Sequence, residues 1–403
     1  MPIALPALAI TSARGRFDPA TLNGATYNGF TYTIDFNPVL EIEQFSTQAR
    51  NFVFFEDNEG IFFNDGIVRD LISGAGDADV VIVNDGIIGE SDRTDPTILL
   101  TGTGQRVVSN EGSIIGSIQL GTGSDVVHTA GLIDGDVNTS GGDDYVVVAD
   151  FFRDGIAFEG EITGRLNTGS GDDVVVNGGV IGDINLGSGD DLYLGLAGEG
   201  DIADGGRIIA GDGNDTVRGS SSDELIFGGA GRDELEGNDG DDRLAGGGNK
   251  DTLRGGEGDD SLIGGGGSDF LAGGNGDDFL NGNSGRDDLV GGRGDDTMHG
   301  GSGDDVFFFT RQSGADVISD FQDGDLIRLV QVGVDDGFGG TVDLVTFDAV
   351  NAFTSYADGN AVIDLDGLYT SLGLDYLVGG NEEDSITLLN VAADSLTEDD
   401  FIL

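Results

Sequence analysis

The chain of 403 residues has no cysteine, no tryptophan, five prolines and a single lysine, Lys250. Without cysteine there are no disulfides of the kind that staple small secreted domains, and no thiol nucleophile or thiolate metal site. Its two histidines, His128 and His299, lie far apart and outside any His-Glu-x-x-His spacing, which excludes that zinc-hydrolase pattern. No apolar run reaches the roughly 18 residues of a membrane helix, and no long apolar segment suits a pore-former. The opening Met1–Ile10 is apolar, yet it lacks the basic region and full-length apolar stretch of a secretory leader. Basic residues are scarce too: 18 Lys and Arg stand against 75 Asp and Glu, for a formal net charge of −57. Nucleic acids and anionic membranes both demand basic patches, so neither is an expected partner. Repulsion on this scale opposes any compact state, and something cationic must accompany the fold.

What is abundant is glycine, with 74 residues. There is no collagen-like period of three. Disorder is the usual outcome of such a composition, but 37% of the residues are apolar and they recur in register. From Ala210 to Phe308 the chain divides into eleven contiguous units of nine residues, for example Gly255-Gly256-Glu257-Gly258-Asp259-Asp260-Ser261-Leu262-Ile263. The sixth position holds Asp215, Glu224, Asp233, Asp242, Asp251, Asp260, Asp269, Asp278, Asp287, Asp296 and Asp305; the eighth is apolar in every unit, from Val217 to Phe307. The second unit has lost its inner glycines.

Such periodicity is the mark of a solenoid. Glycines allow positive φ in tight turns and close approach of the backbone to an ion. The last three residues of each unit predict a short strand with the eighth pointing inward. Two units make one 18-residue turn, and turns stack about 4.8 Å apart, so the aspartates of units n and n+2 line one edge. Carboxylates at that spacing repel by up to a few kcal/mol per pair at an effective dielectric near 20. Calcium, which prefers carboxylate and carbonyl oxygens, would turn the repulsion into coordination.

The nonapeptide resembles the calcium-binding repeat of the repeats-in-toxin (RTX) family. That resemblance implies ions between loops n and n+2, roughly nine in the central roll. Asp215, Asp233, Asp251, Asp269, Asp287 and Asp305 would line one edge, and Asp242, Asp260, Asp278 and Asp296 the other. Glu224 departs from the pattern and puts the site it shares with Asp242 in doubt.

Residues 61–209 repeat more loosely. Units beginning at Asn110 and Asn177, with comparable starts at Asn64, Asn84, His128 and Phe158, join a Gly-x-Ile-x-Gly-x-Ile pattern to a half-turn resembling the nonapeptide. These half-turns place Asp125, Asp144, Asp173 and Asp191 at the metal position. The copies at 73–79 and 101–106 are degraded, with Arg106 where an aspartate belongs. An irregular parallel β-helix continuous with the roll is expected.

The expected fold is therefore all-β: an N-terminal β cap or assembly segment (1–60), the irregular β-helix (61–209), the roll (210–308) and a β-rich closing region (309–403). Ser313–Asp325 resembles the segment that closes the roll in secreted RTX proteases. Leu396–Leu403 resembles the uncleaved carboxy-terminal signal of type I secretion substrates. These likenesses imply the type I export machinery as a partner, an extracellular or cell-surface location, and folding on meeting calcium outside. No catalytic residues are assigned. Arg106, Arg153 and Arg165 are the only basic candidates for a polysaccharide lyase or epimerase, and no constellation singles them out. The leading functional expectation is a non-enzymatic surface, matrix, adhesive or self-assembling protein. A soluble effector binding host membrane or polysaccharide, and a carbohydrate-active enzyme, are its rivals.

Overall fold

The computed structural model describes residues 72–77, 79–89, 96–149, 160–196, 206–310, 312–329, 347–365, 368, 384–391 and 395–402. It also describes strands between 25 and 68 and at 151–153, 156–158 and 201–202, with backbone alone for 25–60 and these last three. Most of the N-terminal segment expected to form a cap lies outside the described residues.

Apolar residues at every second position build short strands whose inward side chains stack rung upon rung. A first sheet contains Ile72–Gly74, Ile98–Leu100, Ile118–Gln119, Val137–Asn138, Leu166–Ser170, Ile184–Ser188 and Ile208–Asp212, paired in parallel. A second sheet stacks Gly60–Asn64, Val80–Asn84, Arg106–Asn110, Val126–Thr129, Tyr145–Ala149, Val174–Gly178 and Leu192–Gly195. A third, running from Ile67–Val68 to Asp201–Ile202, completes a three-sided coil. Val68, Ile88, Ile114, Ile133, Ile162 and Ile181 of this third sheet are fully buried.

The corner between second and third sheets is held by side chains of the residues that open the loose repeats. Asn64 Nδ2 donates to Asn84 Oδ1 (2.7 Å), Asn84 Nδ2 to Asn110 Oδ1 (2.8 Å), and Asn110 Nδ2 to Thr129 Oγ1 (3.0 Å). Buried amides are tolerable because each is satisfied by the next rung. Between Ala149 and Gly160, Phe151–Arg153 and Ile156–Phe158 form an antiparallel hairpin.

The third sheet ends at Asp201–Ile202, and from Ile208 onward the coil becomes a two-sided roll. Strands alternate between the sheets, and partners lie 18 residues apart, as Leu244 with Leu262 and Leu253 with Leu271. The strands are longer than the three residues expected. Thr252–Glu257, for example, runs from the seventh position of one unit to the third of the next. The first-position glycine therefore also faces inward, and lacks the side chain that would collide with the aspartate carboxylate of its own unit. Second- and fourth-position turns need φ near +125°, as at Gly256 (131°) and Gly258 (123°). Asn238, Asn249 and Asn283 stand at such positions with φ of 84°, 78° and 71°, which asparagine tolerates better than other side chains.

The stack does not stop at Phe308. Ala315–Ile318 and Leu326–Leu329 add a further turn, followed by Ser385–Leu388 and Phe401–Ile402, all in parallel register. The parallel sheet is then closed by the antiparallel strands Asn360–Asp364 and Thr354–Ala357, which cover an edge that would otherwise invite pairing. The segment compared with a secretion signal thus supplies the last rung of the second sheet.

Candidate metal centre

Every sixth-position aspartate precedes a strand of the stack, so the carboxylates fall in two rows along the two loop edges. The first edge carries Asp125, Asp144, Asp173, Asp191, Asp215, Asp233, Asp251, Asp269, Asp287 and Asp305; the second carries Asp242, Asp260, Asp278 and Asp296. All are 3% exposed or less. One oxygen of each is spoken for. Asp125 N donates to Asp144 Oδ1 (2.7 Å), Asp233 N to Asp251 Oδ1 (3.0 Å), Asp251 N to Asp269 Oδ1 (2.8 Å), and Asp269 N to Asp287 Oδ1 (2.8 Å). The second edge repeats the rule, with Asp242 N on Asp260 Oδ1 and Asp260 N on Asp278 Oδ1, both at 2.8 Å. The ladder fixes each side chain and leaves its Oδ2 buried without a hydrogen-bond partner, in all fourteen aspartates named from the sequence.

An orphaned buried carboxylate oxygen is costly and calls for a counter-charge. Burial pushes the acids upward: to about 7 for Asp251 and Asp260, and to about 8 for Asp278, where the neighbouring Asp296 and Asp260 add to the effect. In the roll the orphan oxygen lies close to the first-position glycine of its own unit and to a carbonyl one rung on. A methyl group placed on Gly264 would lie 2.6 Å from Asp269 Oδ2 and 3.0 Å from Gly282 O of the next rung. Gly228, Gly237, Gly246, Gly255, Gly273 and Gly282 repeat this pairing of an aspartate Oδ2 with a carbonyl one rung on. Hard oxygens converging at about 2.3–2.6 Å are what calcium accepts. Among the described residues no three acidic or histidine side chains converge on one point. Each cradle instead combines one or two carboxylates with backbone carbonyls.

Glu224 keeps its place in the second row. It is buried, its N–H donates to Asp242 Oδ1 (2.7 Å), and Ser220 Oγ donates to Glu224 Oε1. Its longer side chain is accommodated by a loop that has lost its inner glycines.

The structure adds members that the sequence reading passed over. Asp296 N donates to Asp316 Oδ1 (3.1 Å), and Asp316 Oδ2 is orphaned like the others. Asp305 N donates to Asp325 Oδ1 (3.0 Å), but Asp325 Oδ2 accepts from Gln322 N (2.9 Å), so both its oxygens are satisfied. Asp384 likewise takes the N–H groups of Gln312 and Gly314. The spacing Asp-x-apolar that marks the nonapeptide persists at Asp316/Ile318, Asp325/Ile327 and Asp384/Ile386, and would have found all three.

Arg106 is 1% exposed and inaccessible to a polymer. Arg165 is largely exposed, with Nε 3.6 Å from Asp183 Oδ2, which Arg207 also approaches at 3.8 Å. The side chain of Arg153 lies outside the described residues. His128 faces outward from the second sheet, and partial burial lowers its pKa. His299 is 41% exposed, and its Nδ1 lies 3.1 Å from Ser319 Oγ and 3.2 Å from Asp320 Oδ2. Both contacts fall on one ring nitrogen, which is not a relay geometry. Among the described residues no helix is long and apolar enough to cross a membrane.

Buried carboxylates laddered along the edges of a parallel β-solenoid, their second oxygens unpartnered and seven of them close to a carbonyl of the next rung, define a calcium-binding β-solenoid. Residues 203–311 match the RTX calcium-binding nonapeptide repeat (4 copies) in five stretches, 203–235, 218–253, 236–271, 246–280 and 281–311, the first four overlapping in turn. That match is confined to the roll and covers 109 of the 403 residues. No curated protein matches the chain. Among solved structures, a hyperactive, Ca2+-dependent, beta-helical antifreeze protein from an Antarctic bacterium aligns over 72% of this chain and 87% of its own, with 22% identity and a TM-score of 0.47. At that distance the likeness carries nothing about role.

Proposed function

We propose that the protein is exported unfolded by a type I pathway, folds when calcium fills the two aspartate rows, and acts outside the cell as a non-enzymatic structural element that pairs with a second copy of itself. The observation supporting the folding switch is the row of orphaned carboxylates. An unpaired buried charge costs several kcal/mol even after relaxation. A dozen or more together exceed the roughly 5–15 kcal/mol that stabilises a domain. Asp125 to Asp305 on the first edge and Asp242 to Asp296 on the second would hold the ions, together with first-position carbonyls such as Gly282 O; bound calcium supplies the missing positive charge. Extracellular sites bind calcium at roughly 0.1–1 mM. At ten times that dissociation constant each site adds about 1.4 kcal/mol, and at cytosolic calcium almost nothing.

The pairing rests on the outer face of the second sheet. Ile61, Val81, Val107, Val126, Tyr145, Val174 and Leu192 form one outward row, and Phe63, Val83, Ser109, His128, Val147, Val176 and Leu194 the next. All fourteen are partly exposed, and none is Asp, Glu, Lys or Arg. Within the roll the same rows turn polar, with Glu234, Glu236, Arg254 and Asp288. In a chain of net charge −57 this uncharged face is a surface on which two copies can meet with little repulsion. Seven rungs of about 4.8 Å by two outward rows give roughly 400 Å2 of footprint, beyond a scattering of single exposed side chains. Two such faces together approach the ≈1,000 Å2 at which specific association begins, so the dimer should be weak.

Sedimentation of the full chain at rising protein concentration, in calcium and in chelator, tests both parts. The expected result at neutral pH is a monomer with an unfolded roll in chelator and a folded monomer–dimer equilibrium in calcium, with Val147→Asp folding normally but remaining monomeric. A roll at 210–308 already folded in chelator at neutral pH would overturn the switch. A folded wild type that stays monomeric, or a Val147→Asp variant that still pairs, would overturn the interface. Cleavage of a polysaccharide by the folded chain would overturn the non-enzymatic role.

A further inference from the structure

Arg106 occupies the aspartate slot at the start of the first row. Its N–H donates to Asp125 Oδ1 (2.7 Å), as each later slot residue does to the next rung. One rung earlier the slot is Val80, buried and uncharged, so the carboxylate row begins immediately after Arg106. The guanidinium is fully buried, and Nη2 donates to Thr101 O (2.9 Å) and to Gly76 O of the preceding rung (2.8 Å). Thr101 is the first position of its own degenerate repeat. In the roll, the carbonyl of that position faces an orphaned carboxylate oxygen across the cradle, as Gly282 O faces Asp269 Oδ2. Burial alone lowers the pKa of the guanidinium, while Asp125, Asp79 and Asp77 act to raise it. Arginine remains protonated in proteins, and its planar fork can serve several carbonyls at once.

We propose that Arg106 is a tethered cation that takes the place of calcium at the first rung of the row, so that the turns around residues 76–125 close without metal and give the roll a preformed end from which to wind. This rests on the calcium reading of the later rungs. It also explains a departure that otherwise looks like decay of the repeat: an arginine at this slot delivers its charge from within the chain, at any calcium concentration. The rungs that follow offer only carboxylates there and must wait for the ion.

Amide hydrogen exchange on the full chain in chelator tests the first half. Strands Val80–Asn84 and Arg106–Asn110 should be protected in the wild type while the roll at 210–308 is not. Arg106→Gln should reduce that protection at least ~10-fold, equivalent to ~1.4 kcal/mol. Native mass spectrometry in calcium tests the second half: Arg106→Asp restores a carboxylate and should bind one ion more than the wild type. Equal protection of Arg106→Gln and wild type in chelator would overturn the proposal. So would a calcium-folded Arg106→Asp with an unchanged ion count. Should Arg106→Asp fail to fold, the exchange of wild type against Arg106→Gln still decides. A chain that binds no calcium at all would instead remove the reading of the later rungs, leaving the exchange result to stand by itself.

Discussion

Replacing Gly264 by alanine should remove one calcium ion while leaving the backbone free of strain. Gly264 has no positive φ, and the added methyl would meet Asp269 Oδ2 at 2.6 Å, Gly282 O at 3.0 Å and Asp269 Cβ at 3.1 Å. It would push against the unpartnered Asp269 oxygen and the Gly282 carbonyl that the ion would use. Gly266, two residues on, is the control: a methyl there meets only Gly247 O, at 4.0 Å, again without positive φ. Losing one site sacrifices about 1.4 kcal/mol at calcium ten times the dissociation constant, and about 2.7 kcal/mol at a hundred times. If about nine ions bind in one cooperative transition, that loss is shared over all of them, and the calcium midpoint rises only about 1.3–1.7-fold. Ion number is therefore the sharper readout, and native mass spectrometry at saturating calcium provides it. Gly264→Ala should hold one ion fewer than the wild type and Gly266→Ala the same number, with both variants indistinguishable from wild type in chelator. A Gly264→Ala chain carrying the full complement would show that the ion does not lie between Asp269 and Gly282, and the assignment of the whole row would fall with it.

Two further outcomes follow from the same rows. Asp316→Asn should cost one ion, because Asp316 Oδ2 is orphaned. Asp325→Asn should leave the ion count unchanged, because both oxygens of Asp325 already accept backbone N–H groups; it should lower stability by about 1–3 kcal/mol through a disturbed buried hydrogen bond, measured by thermal melting in calcium. In chelator, the folded-state pKa values near 7 of Asp251 and Asp260 lie above the ≈3.9 of an unfolded aspartate, so the metal-free roll holds protons that the unfolded chain does not. Its stability is then greatest below about pH 4 and is lost as pH rises through about 7, which predicts more β signal by circular dichroism at pH 5 than at pH 8 without metal. No gain in β signal on acidification would refute the desolvation argument.

The roll was legible because a nine-residue period carries two independent signals, an aspartate and an apolar residue two places on, and both had to survive for the core to stack. That is why Asp242 to Asp296 and Asp215 to Asp305 fell on opposite edges as expected, and why the looser Asp125, Asp144, Asp173 and Asp191 joined the first of them. The three-sided cross-section was harder to see. The third sheet has strands of two or three residues, and its corner depends on Asn64, Asn84 and Asn110 bonding to one another across rungs 20 to 26 residues apart. A periodic start marked their places but not their contacts.

The ends of the rows were least legible, for a physical reason. Within a row every rung has the same neighbours, so one pattern repeats; at an end one neighbour is missing, and its charge or hydrogen bonds must be replaced by something unlike the repeat. Arg106 supplies a cation below Asp125, and Ser220 donates to Glu224 where the second row begins. Gln322 N–H completes Asp325, and Gln312 and Gly314 N–H complete Asp384. These residues depart from the nonapeptide because their surroundings do, and a search for the period alone records them as decay. A charged row in a solenoid therefore has two kinds of position to look for: those that keep the pattern and bind the ion, and those that break it and seal the row.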